Sequence, residues 1–192
     1  MTVGVLWLVS RASGLVAFAL LTSALVAGAL ATRPDRGPGG GAVRRLPRWA
    51  RQTLHRDLAL LAVGALVVHV SSVVLDGYVD IGWISVVLPF TAGYHPLSVA
   101  AGALALDAVL LVVATSMLRV RLGYRSWQAV HWLVFAAWPL AALHYLGVGT
   151  DAGTPWGLAV VGVATAAVVA AVAARLLAGR PRTGRPLVGS AR

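Results

Sequence analysis

Five apolar segments, each long enough to cross a lipid bilayer, constrain this chain more than any other feature. A membrane span needs about 20 predominantly apolar residues. Runs of roughly that length cover residues 3–31, 54–75, 96–118, 126–146 and 156–177. Only 11% of the 192 residues are charged, whereas about 25% is usual in a soluble domain. The sequence therefore predicts an all-α membrane protein in which residues 1–178 form one bundle of five transmembrane helices.

The remaining segments are predicted to be connectors or tails. Residues 32–53 are rich in Gly, Pro and Arg, which predicts a flexible basic connector on the cytoplasmic side. Residues 76–95 include the run IGWISVVLPF, which is apolar but too short to cross, so we expect a lid loop on the outer side. Residues 179–192 are expected to form a disordered basic cytoplasmic tail. The first span lacks the basic region of a signal peptide and is too long for one, so we expect an uncleaved helix.

The charges predict the orientation of the bundle. All sixteen basic residues are Arg, and the net charge is +10. Most lie in the first connector, between the third and fourth spans, or after the fifth span, whereas the two other connectors contain only acidic charges: Asp76, Asp80 and Asp151. The positive-inside rule then places the N-terminus outside and the C-terminus in the cytoplasm of a cell (plasma) membrane protein. Topology and contact with anionic lipid headgroups thus account for the positive charge, and we do not expect the protein to bind nucleic acid.

Four histidines lie within two of the spans, and ionisable groups at that depth usually mark function. His55 and His69 are 14 residues apart, and His131 and His144 are 13 apart, so each pair spans roughly 20 Å along a helix. The second and fourth spans run in the same direction, which brings His55 level with His131 and His69 level with His144. Two facing imidazoles can hold an iron from both sides. The sequence thus predicts two stacked haems, because neither a thiolate nor a nearby carboxylate completes another metal site.

The spacing in the fourth span requires an irregular helix. At about 100° per residue, 14 residues return close to the starting face, but 13 residues miss it by about 140°. Pro139 lies between the two histidines and removes the backbone hydrogen bond to Phe135. We therefore predict a kink or a π-bulge that turns His144 towards the interior.

These features resemble the ferric reductase-like transmembrane domain, a superfamily that includes NADPH oxidases, ferric-chelate reductases and the haem-bearing membrane subunit of bacterial methionine sulfoxide reductase. The resemblance covers roughly residues 5–178. It rests on the two His pairs, on their parallel spans and on the pattern R-x-W-x-x-x-H formed by Arg125, Trp127 and His131. It implies an inner haem b on His55 and His131, and an outer haem b on His69 and His144. It also implies single-electron transfer from a cytosolic reduced flavin to an acceptor outside.

Because only a short basic segment follows the fifth span, we expect this protein to lack an FAD- or NADPH-binding domain of its own. We therefore expect FMN or FAD to arrive with a separate flavin reductase, or a quinol to act as electron donor. Two alternatives stay open: a haem subunit for a separate periplasmic reductase, and a quinol-linked cytochrome b. A third, from another class, is a non-redox membrane protein with structural histidines. If the protein is part of an enzyme, we expect it to be an oxidoreductase component. The sequence leaves open the electron donor, the acceptor (ferric iron, oxygen, quinone or a partner protein) and the oligomeric state.

Several other side chains are candidates for cofactor binding. Arg11 lies near the depth of the outer pair, where it could bind a haem propionate or extend to the headgroups. Arg125 could bind an inner propionate or serve only topology. Phe135 and Trp138 could fill the gap between the haems or simply pack in the core. The roles of Asp107 and His95 stay open.

Overall fold

The computed structural model describes residues 4–31, 46–77, 79 and 81–178. They form eight helices: α1 (Val5–Ala31), α2 (Arg48–Asp76), α3 (Trp83–Val87), α4 (Pro96–Met117), α5 (Arg119–Leu122), α6 (Tyr124–His131), α7 (Val134–Val148) and α8 (Pro155–Ala178). No strand occurs in these ranges. Five spans are long and apolar enough to cross a membrane: α1, α2, α4, α6 together with α7, and α8. The predicted five-span all-α bundle is thereby confirmed, while its orientation in the membrane stays a prediction.

The predicted connectors are only partly within the described ranges. Residues 32–45 of the first connector and the tail at 179–192 lie outside them, and so do Tyr78 and Asp80. Residues 48–53, at the end of the first connector, form the first turns of α2. The loop at 76–95 contains α3. It leaves α2 through Gly77, whose positive φ of 62° suits a residue without a Cβ.

The core of the bundle is built from small side chains. α1 packs along α2 and also touches α7 and α8, while α4 packs along α7. Buried alanines dominate both α1 and α4: Ala17, Ala24, Ala27 and Ala29 on α1, and Ala100, Ala101, Ala103 and Ala105 on α4. Small residues allow membrane helices to approach closely. Large apolar side chains such as Leu61 and Val163 lie on the outer surface, as expected of a surface that faces lipid.

The fourth span is broken immediately after His131. Trp132 and Leu133 form a turn between α6 and α7, where the backbone N–H of Leu133 donates to the carbonyl of Val130 at 2.9 Å and that of Ala136 to Leu133 at 2.9 Å. Such i→i−3 bonds wind the chain at about 120° per residue instead of 100°. With a third such bond, from the N–H of Phe135 to the carbonyl of Trp132 at 3.1 Å, they recover about 60° of the mismatch between His131 and His144. The predicted irregularity is present, but it is a tightened turn before Pro139 and not a π-bulge.

The orientation can be tested directly because the chain contains no cysteine. Val120 lies 95% exposed between the third and fourth spans, and Gly153 has open space around its Cα at the opposite end. We expect a membrane-impermeant maleimide to label the Gly153→Cys variant in intact cells and to label Val120→Cys only after lysis. The cysteine-free parent is the control, and the reverse pattern would contradict the predicted orientation.

Candidate functional site

The four intramembrane histidines meet as two facing pairs. The ring centres of His55 and His131 are 6.1 Å apart, and those of His69 and His144 are 6.2 Å apart. We call these pairs the first level and the second level. An ion midway between two imidazoles separates the ring centres by roughly 6 Å, from two bonds of about 2 Å and about 1 Å from nitrogen to ring centre on each side. Both pairs therefore have the spacing that a shared metal ion requires.

Three of these imidazoles are anchored by hydrogen bonds to the backbone of a neighbouring helix. The Nδ1–H of His69 donates to the carbonyl of Ser10 at 2.8 Å, that of His55 to Ala24 at 2.8 Å, and that of His144 to Ser98 at 2.9 Å. A carbonyl can only accept, so Nδ1 carries the proton in each ring. Nε2 then presents its lone pair, which is the form that a metal ligand needs.

Glycines create the space for these three rings. A Cβ added at Gly14 would lie 2.9 Å from Nδ1 of His69, one at Gly28 would lie 3.0 Å from Cε1 of His55, and one at Gly102 would lie 2.5 Å from Nδ1 of His144. Each glycine follows the acceptor carbonyl by four residues, which is one helical turn. Glycine therefore lets an imidazole lie directly against the helix backbone.

His131 is held differently. Its Nδ1 is buried and has no hydrogen-bond partner in the part of the chain that the structure describes. Its ring lies 4.9 Å from the ring of Trp127, whose indole N–H donates to Ser116 Oγ at 3.2 Å. The first level thus combines one anchored and one unanchored imidazole.

A cavity of 330 Å³ opens beside the second level. Its walls are mostly apolar and belong to all four spans that surround the pair: Leu66 and Val73 on α2, Val99 and Leu106 on α4, Leu15 on α1, and Val148 on α7. Ser10, Arg11 and Asp151 add polar groups to the lining. A mostly apolar cleft with a few charged groups suits a flat hydrophobic ligand that carries acidic substituents.

Arg11 forms a two-point ion pair with Asp151, through Nε and Nη2. The guanidinium also lies 5.2 Å from the ring centre of Trp7 and 5.9 Å from that of Trp156. The acidic partner of Arg11 is therefore Asp151. Sequence reasoning did not predict Asp151 as the partner of Arg11. Asp151 lies 140 residues away in a loop, and helical periodicity does not predict contacts made by loop residues.

Aromatic side chains fill the space between the two levels. Phe18 is buried on α1; its ring stacks on Trp138 at 5.7 Å and on Tyr145 at 6.1 Å. The indole N–H of Trp138 donates to Thr22 Oγ1 at 2.9 Å. The ring of Phe135, the other aromatic candidate in this span, lies 5.2 Å from the ring of Trp132. Sequence reasoning missed Phe18, which no spacing rule connects to the histidines.

The other candidates lie at the edges of the bundle. Arg125 is exposed at the start of the fourth span, while Arg119 lies over the ring of Trp127 at 5.6 Å. His95 is exposed and packs on Tyr94 at 4.5 Å. Asp107 is half-buried on α4.

The donor set fits a metal that brings most of its own ligands. Within residues 4–31, 46–77, 79 and 81–178, no group of three or more His, Cys, Asp or Glu side chains could hold a metal ion. A bare zinc or iron ion would lack ligands at either level. A haem iron needs from the protein only the two axial imidazoles that each pair offers.

The architecture and the site define a multi-pass membrane protein with two stacked histidine pairs inside a five-span bundle. A family model described as "Ferric reductase like transmembrane component" matches residues 13–142, which is more than half of the chain. The chain therefore belongs to the ferric reductase-like transmembrane family. The match includes three of the four paired histidines and ends just before His144. Searches among curated proteins and among solved structures found no match.

The three glycines can be tested against two glycines elsewhere on spanning helices. Because a Cβ at Gly102 would collide with His144, we expect Gly102→Ala to cost about 1–3 kcal/mol of unfolding free energy, with Gly14→Ala close behind and Gly28→Ala least affected. Gly64 and Gly162 have nothing within 4 Å of an added Cβ. Their change to Ala should be neutral or stabilising by up to about 1 kcal/mol. Unfolding in detergent, followed by circular dichroism, gives the unfolding free energy of all five variants. Equal changes in the two sets of variants would contradict the role of Gly14, Gly28 and Gly102 in making room for the imidazoles.

Proposed function

We propose that this chain carries electrons across a membrane through two b-type haems, one at each histidine level. Membership of the ferric reductase-like family supports a membrane redox role. The facing imidazoles support the haems: ring separations of 6.1 and 6.2 Å, with Nδ1 anchored in three of four rings and Nε2 left to ligate. Structural histidines would have no reason to meet in facing pairs at two depths. His55 and His131 would hold the first haem, and His69 and His144 the second.

The haem iron supplies the one-electron chemistry, and the protein supplies position and environment. The two imidazoles of each pair would hold the iron from both sides, so the chain's residues would favour electron transfer over ligand binding at the metal. The glycines and backbone carbonyls fix the orientation of three imidazoles. The apolar walls around the second level would keep water away from a bound macrocycle.

Between the levels, Phe18 and Trp138 occupy the space that an electron would cross. His55 and His69 are about 21 Å apart along α2, and the aromatic stack lies between those depths. Dense packing excludes water and keeps the gap constant. We propose that Trp138, as predicted, and Phe18 serve this role, whereas Phe135 packs at the edge of the path.

At the second level, Arg11 and Asp151 line the same cavity as His69 and His144. We propose that Arg11 binds a propionate there while Asp151 and the two indoles hold its guanidinium in place. At the other end of the bundle, Arg125 belongs to a set of exposed or half-buried arginines: Arg48, Arg56, Arg119, Arg121 and Arg175. In a plasma membrane obeying the positive-inside rule, these arginines face the cytoplasm. A flavin reductase with an acidic surface, or a quinol, would deliver electrons at that end, and an acceptor would take them at the other.

Cofactor content tests the proposal. We expect the purified wild-type protein to hold two haems per chain, measured by pyridine haemochrome against protein concentration. Each of His55→Ala, His69→Ala, His131→Ala and His144→Ala should lose one haem, and His55→Ala with His69→Ala should lose both. His95→Ala is the matched control, because His95 is exposed and outside both pairs. A wild-type protein without reduced Soret and α bands, or equal loss in the control, would reject the proposal.

The aromatic stack can be tested by a pair of phenylalanine variants. Phe18 is 5% exposed, so Phe18→Ala should cost about 3–5 kcal/mol of unfolding free energy and slow electron transfer between the haems. Phe135→Ala should cost less and leave that rate unchanged, because Phe135 lies outside the stack. Rapid photoreduction of the two-haem protein measures the rate, and haem content confirms that both sites remain filled. Equal rates in the two variants would contradict the role of Phe18.

A further inference from the structure

The helix surfaces that receive the histidines follow a repeating pattern. Three places pair an acceptor carbonyl with a glycine four residues later: Ser10 with Gly14, Ala24 with Gly28, and Ser98 with Gly102. The two places on α1 are 14 residues apart, which matches the spacing of His55 and His69 on α2. The same step along α4, taken from Ser98 and Gly102, leads to Val112 and Ser116. The fourth place thus has a serine where the other three have a glycine.

Ser116 occupies this fourth place in two ways. By the 14-residue register, its Cβ corresponds to the position that the three glycines leave empty for a ring. Its hydroxyl donates to the carbonyl of Val112 at 2.6 Å, which is the acceptor that the repeat predicts for an imidazole. Thr115 also reaches this carbonyl, at 3.2 Å, but Ser13 reaches the Ser10 carbonyl at the same distance without excluding His69, so the Ser116 hydroxyl is the contact specific to the fourth place. The acceptor is therefore already engaged by the hydroxyl of Ser116.

The contacts of α6 place His131 against this turn of α4. Trp127 donates to Ser116 Oγ and packs on the ring of His131, four residues later on the same face of the helix. His131 Nδ1, buried there, has no hydrogen-bond partner among the described residues. Ser116 thus accepts from Trp127 and donates to the carbonyl that the repeat assigns to His131.

We propose that Ser116 is a positioning residue that makes the first-level haem easier to reduce than it would be with an anchored His131, and easier than the second-level haem. This inference rests on the proposed function. An imidazole that donates from Nδ1 is a stronger donor at Nε2, and a stronger donor stabilises ferric over ferrous iron. The second level has two such imidazoles, whereas the first level has only His55. An electron shared between the two haems therefore resides mainly at the first level until an acceptor withdraws it.

The test uses two substitutions at one position in the full, haem-loaded chain. Ser116→Gly removes both the Cβ and the hydroxyl, so His131 can reach the Val112 carbonyl. Ser116→Ala removes only the hydroxyl and keeps the Cβ, so the ring stays excluded. Both variants lose the bond from Trp127, which makes Ser116→Ala the matched control. Spectroelectrochemical titration gives the midpoint potential of each haem, and His55→Ala and His69→Ala, each retaining one haem, assign the two potentials to their levels.

We expect Ser116→Gly to disfavour reduction of the first-level haem by about tenfold in the equilibrium constant, a shift of about 59 mV to a more negative potential for one electron. Ser116→Ala should shift it much less, and the second-level potential should not move in either variant. Equal potentials in the two variants, or a positive shift in Ser116→Gly, would overturn the inference while leaving the haem proposal intact. If Ser116→Gly loses the first-level haem, the two midpoint potentials of the wild-type protein test the inference instead. A first-level haem that is easier to reduce than the second-level haem supports it, and one that is harder to reduce overturns it. A wild-type protein that holds no haem would overturn the proposed function itself.

Discussion

The hydrogen bond from an imidazole Nδ1–H to a backbone carbonyl of the next helix is the interaction on which the site depends. It decides the tautomer, so it decides which nitrogen is available to ligate. It also requires the imidazole to touch the helix backbone, and this is possible only where the facing residue has no side chain. Gly14, Gly28 and Gly102 are therefore as much a part of the site as the histidines. Each anchored ring joins two helices by a polar contact in an otherwise apolar bundle.

The small residues of α1 and α4 have a second effect. Lipid offers no hydrophobic drive between helices, so close van der Waals packing must hold the bundle together. The alanines that line both helices provide it without large core side chains. The few bulky groups inside, such as Phe18 and Trp138, are placed between the two histidine levels. The bundle is thus tight along its helix contacts and leaves a cavity beside the second-level histidine pair.

Much of this arrangement can be predicted from the sequence. Span length and hydropathy determine five helices, because the bilayer imposes a minimum length. The histidine spacing and the parallel direction of two spans determine which rings share a depth. The location of the helix break could not be predicted, because Pro139 marks a disturbance but not which turn absorbs it; the change falls at Trp132 and Leu133. The ion pair of Arg11 and the packing of Phe18 depend on which distant parts of the chain meet in the bundle. Hydrophobic periodicity within one helix does not predict such contacts.

α1 touches both levels, through Ser10 and Gly14 near one end and through Ala24 and Gly28 near the other. α4, in contrast, anchors a ring at the second level only. Rotating α1 about its own axis would move the carbonyl of Ser10 away from His69 and the carbonyl of Ala24 away from His55 at the same time. Any force that reaches α1, from bilayer thickness or from a neighbouring protein, would then be felt at both depths at once.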